Sequence, residues 1–277
     1  MSLIPQIYLD AVVSIGVRNT NGDINWIGTG FFIIRAIDIN KGMPFLISNR
    51  HVFKDKQSIV IRMKEKKSNT LNECDASLYN KDGLPLYKLH SNPNIDIAIL
   101  PLSPEYINSH NLEFPSFNID SLAMRSDELR QAGVDAGSLV YMLGFPLGLV
   151  NIESGLPICR LGCIARISET QINETQNILV DIQNFPGNSG SPIVLRPEIM
   201  SVGGTPSLSK CILVGIVHSY IPYREKLINS QTKEVVEIRS ENSGIANVHP
   251  VEYILDIIDS ICPKTETDNK TKLKNNE

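Results

Sequence analysis

The chain has little of what several common protein classes require. Its five cysteines, Cys74, Cys159, Cys163, Cys211 and Cys262, are odd in number and scattered, with no Cys-x-x-Cys pair. That pattern excludes a disulfide framework and a thiolate zinc site, and a reducing compartment suits it best. There is no basic excess: 26 Lys and Arg stand against 30 Asp and Glu, a net charge of −4. Nothing in that balance neutralises phosphates, so no nucleic-acid partner is expected. No apolar run approaches the roughly 18–20 residues of a membrane span. The longest, residues 138–150, is broken by Gly144, Pro146 and Gly148. The segment Met1 to Asp10 lacks a basic stretch followed by a long apolar one, so no signal peptide and no membrane contact are expected, and a cytoplasmic location follows. His90, His110 and His249 stand singly in polar or loop contexts, without metal-ligand spacing, and there is no glycine-rich phosphate loop. The expectation is therefore no metal and no cofactor. What remains is ordinary for a globular chain of 277 residues, with 42% hydrophobic and 20% charged residues, enough to build a packed core.

Most of that apolar content falls in short strand-like runs: Val12–Val17, Gly28–Ile34, Phe45–Ser48, Ser58–Arg62 and Asp96–Pro101 in one half, then Ser138–Gly144, Leu161–Ile167, Ile178–Ile182, Ser191–Leu195 and Cys211–Val217 in the other. Asn, Asp, Gly and Lys separate them, as in hairpin loops. The spacing predicts two β-rich halves of barrel or sandwich type, not βαβ units. Residues 101–136, richer in Pro, Ser and Asn, read as a linker between the halves. One helix is expected where Val251, Ile254, Leu255, Ile258 and Ile261 fall on one face, with Pro250 in its first turn. The polar segment 263–277 is expected to be disordered, and Lys64–Lys67 and most of Tyr223–Asn242 to be solvated charged loops. Cys159 and Cys163, four residues apart on one strand-like stretch, should face the same side as unpaired thiols.

Three segments carry chemistry. In Phe185-Pro-Gly-Asn-Ser-Gly-Ser-Pro-Ile-Val194 a turn with Gly187 and Gly190 presents Ser189. The glycines allow a sharp bend and a close substrate approach, and the N–H groups of Gly187 and Ser189 can converge on an oxyanion. A β-turn with its usual Gly, Asn and Ser is the plainer reading. In Phe45-Leu-Ile-Ser-Asn-Arg-His-Val-Phe53, His51 follows an apolar strand and is a candidate general base. In Asn94-Ile-Asp-Ile-Ala-Ile-Leu100, Asp96 is a carboxylate beside an apolar strand, where it needs a hydrogen-bond partner; orienting His51 would supply one. Separately each residue has a structural explanation. Together they give the order His, Asp, Ser, which is not the Ser, acid, His order of an α/β-hydrolase, and the position two after Ser189 is Ser191 instead of Gly.

The set Gly28-Thr-Gly-Phe-Phe-Ile, Ile47-Ser-Asn-Arg-His-Val, Asp96-Ile-Ala-Ile-Leu and Pro186-Gly-Asn-Ser-Gly-Ser-Pro resembles the trypsin-like, chymotrypsin-fold serine peptidases, over roughly residues 10–260. It is most similar to the bacterial trypsin-like peptidase domain of the HtrA type, without a PDZ extension. Leu143–Gly148, Val214–His218 and Ser243–Ala246 add to the likeness. The resemblance implies an all-β fold of two six-stranded antiparallel β-barrels with a short C-terminal helix. The first barrel would span residues 1–115 with His51 and Asp96, the second 116–262 with Ser189. It implies a serine endopeptidase acting on a protein or peptide through an acyl-enzyme. A catalytically weak peptide-binding or regulatory module on the same fold is the alternative. The resemblance further implies an oxyanion hole from Gly187 and Ser189, and a substrate pocket with Gln183 at its base and His218, Ser219 and Tyr220 along its wall. His218 stands where the family often has a serine beside the triad Asp, so it is placed to hydrogen-bond Asp96 or to lie on the sheet. With Gln183 neutral and Tyr220 bulky, small or medium apolar side chains should fit the pocket. Asn188 precedes the nucleophile where activated family members carry an Asp, so a newly cut amino terminus is not expected to be the switch.

Overall fold

The computed structural model describes residues 4–38, 41–68, 70–151, 153–198 and 208–263; the expectation for the tail falls outside them beyond Pro263. The described residues form fourteen strands in two groups. The first holds β1 (Val12–Arg18), β2 (Ile24–Asp38), β3 (Lys41–Ser48), β4 (Ser58–Lys64), β5 (Leu71–Ser77), β6 (Lys88–Leu89), β7 (Ala98–Pro101) and β8 (Phe117–Asn118). The second holds β9 (Leu139–Gly144), β10 (Ile158–Arg166), β11 (Ile178–Asp181), β12 (Pro192–Leu195), β13 (Leu213–Ile228) and β14 (Val235–Pro250).

The second group is a closed barrel in the order β10-β11-β14-β13-β12-β9, all neighbours antiparallel. Its interior is aliphatic, with Val140, Met142, Ile164, Val180, Ile193 and Val248 buried together. Full closure removes the unpaired edges that a sheet of this size would otherwise leave open. The first group is an eight-stranded sheet in the order β5-β4-β1-β2-β3-β7-β6, with β8 pairing β2 in parallel. It differs from a regular six-stranded barrel at the seam. There the ends meet through a Tyr79–Pro85 bridge and a bond from Leu86 N–H to the Leu78 carbonyl (2.9 Å), not through a ladder. Pro85 has no N–H to donate and β6 is two residues long, so a continuous ladder cannot form there. Residues such as Ile15, Phe32, Leu46, Phe53 and Ile61 fill the curl of this sheet.

A third apolar cluster lies between the groups. Phe31, Phe45, Ile97 and Phe117 from the first meet Tyr141, Leu143, Val194 and Ile216 from the second. The C-terminal helix, Val251–Ile261, drives Val251, Ile254, Leu255, Ile257 and Ile258 into the same cluster. Burying a side chain of this size stabilises by about 1.5–3 kcal/mol, so the halves are joined by core packing. Residues 101–136 carry three short helices, Pro104–Ser109, Ile119–Leu122 and Ser126–Gln131, as well as β8. Two other helices frame the site: the single turn Arg50–Phe53 and the helix Glu169–Thr175.

The segment read as a solvated loop, Tyr223–Asn242, is instead a two-stranded ribbon. Residues Pro222 to Ile228 of β13 pair with Asn242 to Val235 of β14. The misreading came from its charges: Arg224, Glu225 and Lys226 run consecutively, and Glu234, Glu237, Arg239 and Glu241 are mixed with Val235, Val236 and Ile238, so no two-residue apolar–polar alternation marks these strands.

One buried charge joins distant elements. Arg35 on β2 is 1% exposed, with Nε 3.3 Å from Asp120 and Nη1 2.7 Å from Asp259 on the C-terminal helix. Because both aspartates keep some solvent, Arg35→Ala should cost about 3 kcal/mol, the lower end for a broken buried pair. The check is a shift of the urea midpoint at unchanged slope; a shift within error would mean that the ion pairs contribute nothing.

Candidate active site

The site is built around Thr29, a fully buried residue of β2. Its N–H donates to the Ser189 carbonyl (2.8 Å) and its Oγ1 donates to the Gly187 carbonyl (2.7 Å). The same Oγ1 accepts from Phe145 N–H (3.1 Å), and the Thr29 carbonyl accepts from Ser48 Oγ (2.7 Å). One side chain and one peptide of the first sheet thus grip the turn of the second barrel. The neighbouring Gly28 sits where a Cβ would lie 3.0 Å from Val52 and 3.3 Å from the Ser189 carbonyl, so the helix carrying His51 and the serine turn converge on it.

The turn needs its glycines. Gly187 and Gly190 have φ of +95° and +90°. A Cβ at Gly187 would be 2.3 Å from the Phe145 carbonyl, and one at Gly190 would be 2.0 Å from the Thr29 carbonyl. Asn188 N–H donates to Phe185 O (3.0 Å) and Ser191 N–H to Asn188 O (2.9 Å), closing the bend. Leu147, itself at φ 57°, donates its N–H to the Pro186 carbonyl at 2.6 Å. In a trans peptide the C=O and N–H point opposite ways, so this bond turns the Gly187 N–H away from Leu147. Among the described residues, neither the Gly187 nor the Ser189 N–H donates to a protein acceptor.

His51 lies in the single helical turn Arg50–Phe53, and Asp96 just ahead of β7. Their side chains meet, His51 Nδ1 to Asp96 Oδ2 at 2.5 Å. Asp96 also holds the start of that turn. Its Oδ1 accepts from His51 N–H (3.0 Å), and its carbonyl accepts from Asn49 Nδ2 (2.7 Å) and Arg50 N–H (3.3 Å). Burial works to raise the Asp96 pKa, but the His51 hydrogen bonds and the nearby imidazoles hold it below the usual carboxylate range. With Nδ1 donating to Asp96, the remaining ring nitrogen of the half-exposed His51 is free to act as a base.

Behind Asp96 lie two stacked imidazoles, His218 and His249, 3.9 Å apart and 9° from parallel. His218 does not bond Asp96; its Nε2 pairs with Asn177 Oδ1 at 2.7 Å. His249, read as an isolated loop residue, is 1% exposed, and it is the one that touches Asp96. Its Nε2 accepts from the Asp96 N–H (3.0 Å), and its Nδ1 donates to the Gln176 carbonyl (2.9 Å). Both acceptors sit where the helix Glu169–Thr175 ends, Gln176 being left-handed at φ 59°. The ladder explains the exchange of roles: β13 bulges between Val217 and Ser219, which takes His218 out of its expected register. Burial and then the charge of His249 push the His218 pKa down to about 3, and burial also lowers His249.

The expected pocket residues are less concentrated. Gln183 is exposed and not sealed at a pocket base; it stands past the end of β11, 3.4 Å from where a Gly244 Cβ would be. Ser219 and Tyr220 are partly buried on β13 opposite Asn247 and Ala246. Sequence reasoning missed Asn184, which is buried and donates from Nδ2 to the Ser219 carbonyl (3.0 Å). Cys159 is exposed, and Cys74, Cys159, Cys163 and Cys262 form no disulfide. Among the described residues no His, Cys, Asp and Glu cluster could hold a metal ion, and no helix is long and apolar enough to cross a membrane.

Residues 28–198 match the family model of the trypsin-like peptidase domain. The chain belongs to that family. No curated protein matches the sequence. Among solved structures, the apo protease domain of MamO from Magnetospirillum magneticum is 14% identical at a TM-score of 0.48, over 90% of this chain and 96% of that one. The inactivated protease paralogue S-I1 of the scabies mite is 13% identical at a TM-score of 0.49, over 94% and 97%. The family match ends at residue 198, so the ribbon of β13 and β14 lies outside it.

Two expected outcomes follow from this geometry. Thr29→Val keeps the shape but leaves the Gly187 carbonyl and Phe145 N–H without their partner, at about 1–3 kcal/mol for each buried group. Labelling of Ser189 by a fluorophosphonate should fall about tenfold or more, and Thr29→Ser should restore it; equal labelling of the valine and serine variants would remove Thr29 from the argument. The second concerns pH. The unfolded chain protonates both buried imidazoles near the ordinary value of 6.5, while folded His218 resists to about 3. The unfolded state therefore binds more protons in that window, and stability falls as pH drops through it. Thermal midpoints measured from about pH 7 to about pH 4 should decline in the wild type and decline less steeply in His218→Gln; parallel curves would contradict the assignment.

Proposed function

We propose that the chain is a serine endopeptidase, with Ser189 as nucleophile, His51 as general base and Asp96 as the group that orients it. One observation carries the reading: the hydrogen-bonded His51–Asp96 pair and the Ser189 turn are fixed to the same stretch of β2, Gly28–Thr29, while the Gly187 and Ser189 N–H groups have no protein acceptor. His51 takes the Ser189 proton as Oγ attacks the peptide carbonyl, and Asp96 stabilises the imidazolium without itself being protonated. The two free N–H groups stabilise the oxyanion. His51 then returns the proton to the leaving amine, and water hydrolyses the acyl-enzyme by the same steps in reverse. The substrate is a protein or peptide. The bulk of the partly buried Tyr220 on β13 favours a small or medium apolar side chain before the scissile bond.

The direct test is fluorophosphonate labelling followed by turnover of a mixed peptide library. Ser189→Ala and His51→Ala should each lower turnover by several orders of magnitude, and Asp96→Asn by about 10⁴, because the three act as a unit. A wild-type protein that neither labels nor cleaves would point instead to a peptide-binding module on a peptidase fold.

A further inference from the structure

Beyond residue 221 the hairpin of β13 and β14 leaves the barrel and stands alone as a two-stranded ribbon. Residues 221–241 are exposed on both faces, with large apolar side chains among them, including Tyr223, Leu227, Val236 and Ile238. A lone two-stranded ribbon is marginal in water, and its outer edge presents unpaired N–H and C=O groups.

That outer edge begins at the catalytic turn. Up to Val217, β13 is occupied by the turn and β12: Gly190 N–H donates to the Val217 carbonyl (3.0 Å), and Val217 N–H to the Ser191 carbonyl (2.9 Å). Among the described residues no strand pairs with β13 on that side from Ser219 to Ile228. An extended chain placed in the cleft at Ser189 and paired antiparallel with β13 runs, on the N-terminal side of its scissile bond, straight onto the ribbon.

The ribbon's two faces differ in charge. The unbroken register from Pro222 opposite Asn242 to Leu227 opposite Glu237 puts residues directly across from one another on one face. One face carries Glu225, Glu237 and Glu241 against a single Arg239, which is paired to Glu237 at 3.3 Å. The other carries Arg224 and Lys226 with no acidic residue. Among the described residues, Glu225, Glu241, Arg224 and Lys226 make no ion pair. A strand added at the edge continues both faces, so its alternate side chains meet opposite charges.

From these features we infer that the ribbon is an extended substrate-binding arm. It takes an unfolded, strand-forming segment upstream of the cleavage site, with basic side chains on one face and acidic ones on the other. Main-chain bonds supply affinity, and the two charged faces supply register. This rests on the peptidase reading, and it places the arm's specificity many residues away from the scissile bond.

The test compares quenched peptides with four residues before the scissile bond and peptides extended upstream by about ten more, the reach of the free edge. The extension alternates Lys and Glu, in both phases, with a Gly-Ser extension of equal length as control. In the variant, residues 223–241 are replaced by Asn-Gly, which joins the facing residues Pro222 and Asn242 through a two-residue hairpin turn. In the wild type one Lys-Glu phase should raise kcat/KM by about tenfold over the short peptide, and the other phase and Gly-Ser should not. The shortened protein should lose that gain while cleaving the short peptide as before. Should the shortened protein fail to fold, Arg224→Glu with Lys226→Glu, both at exposed positions, makes both faces acidic and should abolish the phase preference. An equal gain with and without the arm, or no phase preference in the wild type, overturns the inference. So does a wild-type dimer in sedimentation that the shortened protein lacks, since a second copy would then be the occupant. If the wild type is not labelled at Ser189, the peptidase reading fails on its own. The arm is then judged by fluorescence anisotropy of the same peptides on Ser189→Ala protein, where tighter binding of one phase must vanish with the arm.

Discussion

A site divided between two halves of a chain works only if the halves cannot slide, and here Thr29 sets their register. Its four hydrogen bonds reach the carbonyls of Ser189 and Gly187, the N–H of Phe145 and the hydroxyl of Ser48. Every partner except Ser48 belongs to the second barrel. The apolar cluster between the halves supplies most of the attraction, but dispersion and burial are not directional. They would tolerate displacements of the order of an ångström that a proton transfer would not. Hydrogen bonds to a β-branched side chain with restricted χ1 supply the missing direction. Arg35 does similar work further out, tying β2 to the C-terminal helix that seals the same cluster.

The parts of this arrangement that were legible in the sequence are those with local signatures. The glycines around Ser189 announce a bend because positive φ and close backbone contact leave no choice of residue. The strand runs announce themselves by apolar content, and the C-terminal helix by its single apolar stripe. What stayed hidden depends on contacts between residues far apart. Thr29 looks like any strand threonine until Gly187 and Phe145 are brought to it across more than a hundred residues. His249 sits in a polar-looking stretch, and only the fold shows that it is buried against Asp96. The ribbon was hidden for another reason. Both of its faces are exposed, so charged and apolar residues share each face and the two-residue alternation of a half-buried strand is absent.

The His218 and His249 pair shows how a departure at one position spreads. A bulge in β13 frees His218 from the strand register, and its ring then needs both a stacking surface and a polar partner. His249 provides the first and Asn177 the second. The left-handed Gln176 makes this possible, because ending the helix Glu169–Thr175 there exposes the Gln176 carbonyl and the Asn177 side chain together. Four residues from β13, β14 and the end of that helix thus build the surroundings of the aspartate.

The electrostatic consequence lies in which groups stay neutral. His249 accepts a hydrogen bond at Nε2 from the Asp96 N–H and donates from Nδ1 to Gln176, which fixes a neutral tautomer. A protonated ring would set N–H against N–H. Burial opposes the charge on both rings, so at neutral pH neither competes as a cation for the Asp96 carboxylate. In the proposed mechanism that carboxylate then has one cation to stabilise, the imidazolium that forms at His51. Were His218 or His249 charged in the resting protein, the same negative charge would be shared before the reaction began. The part of its attraction reserved for the transition state would shrink accordingly. Two buried neutral imidazoles thus hold Asp96 in place without taking a share of its charge.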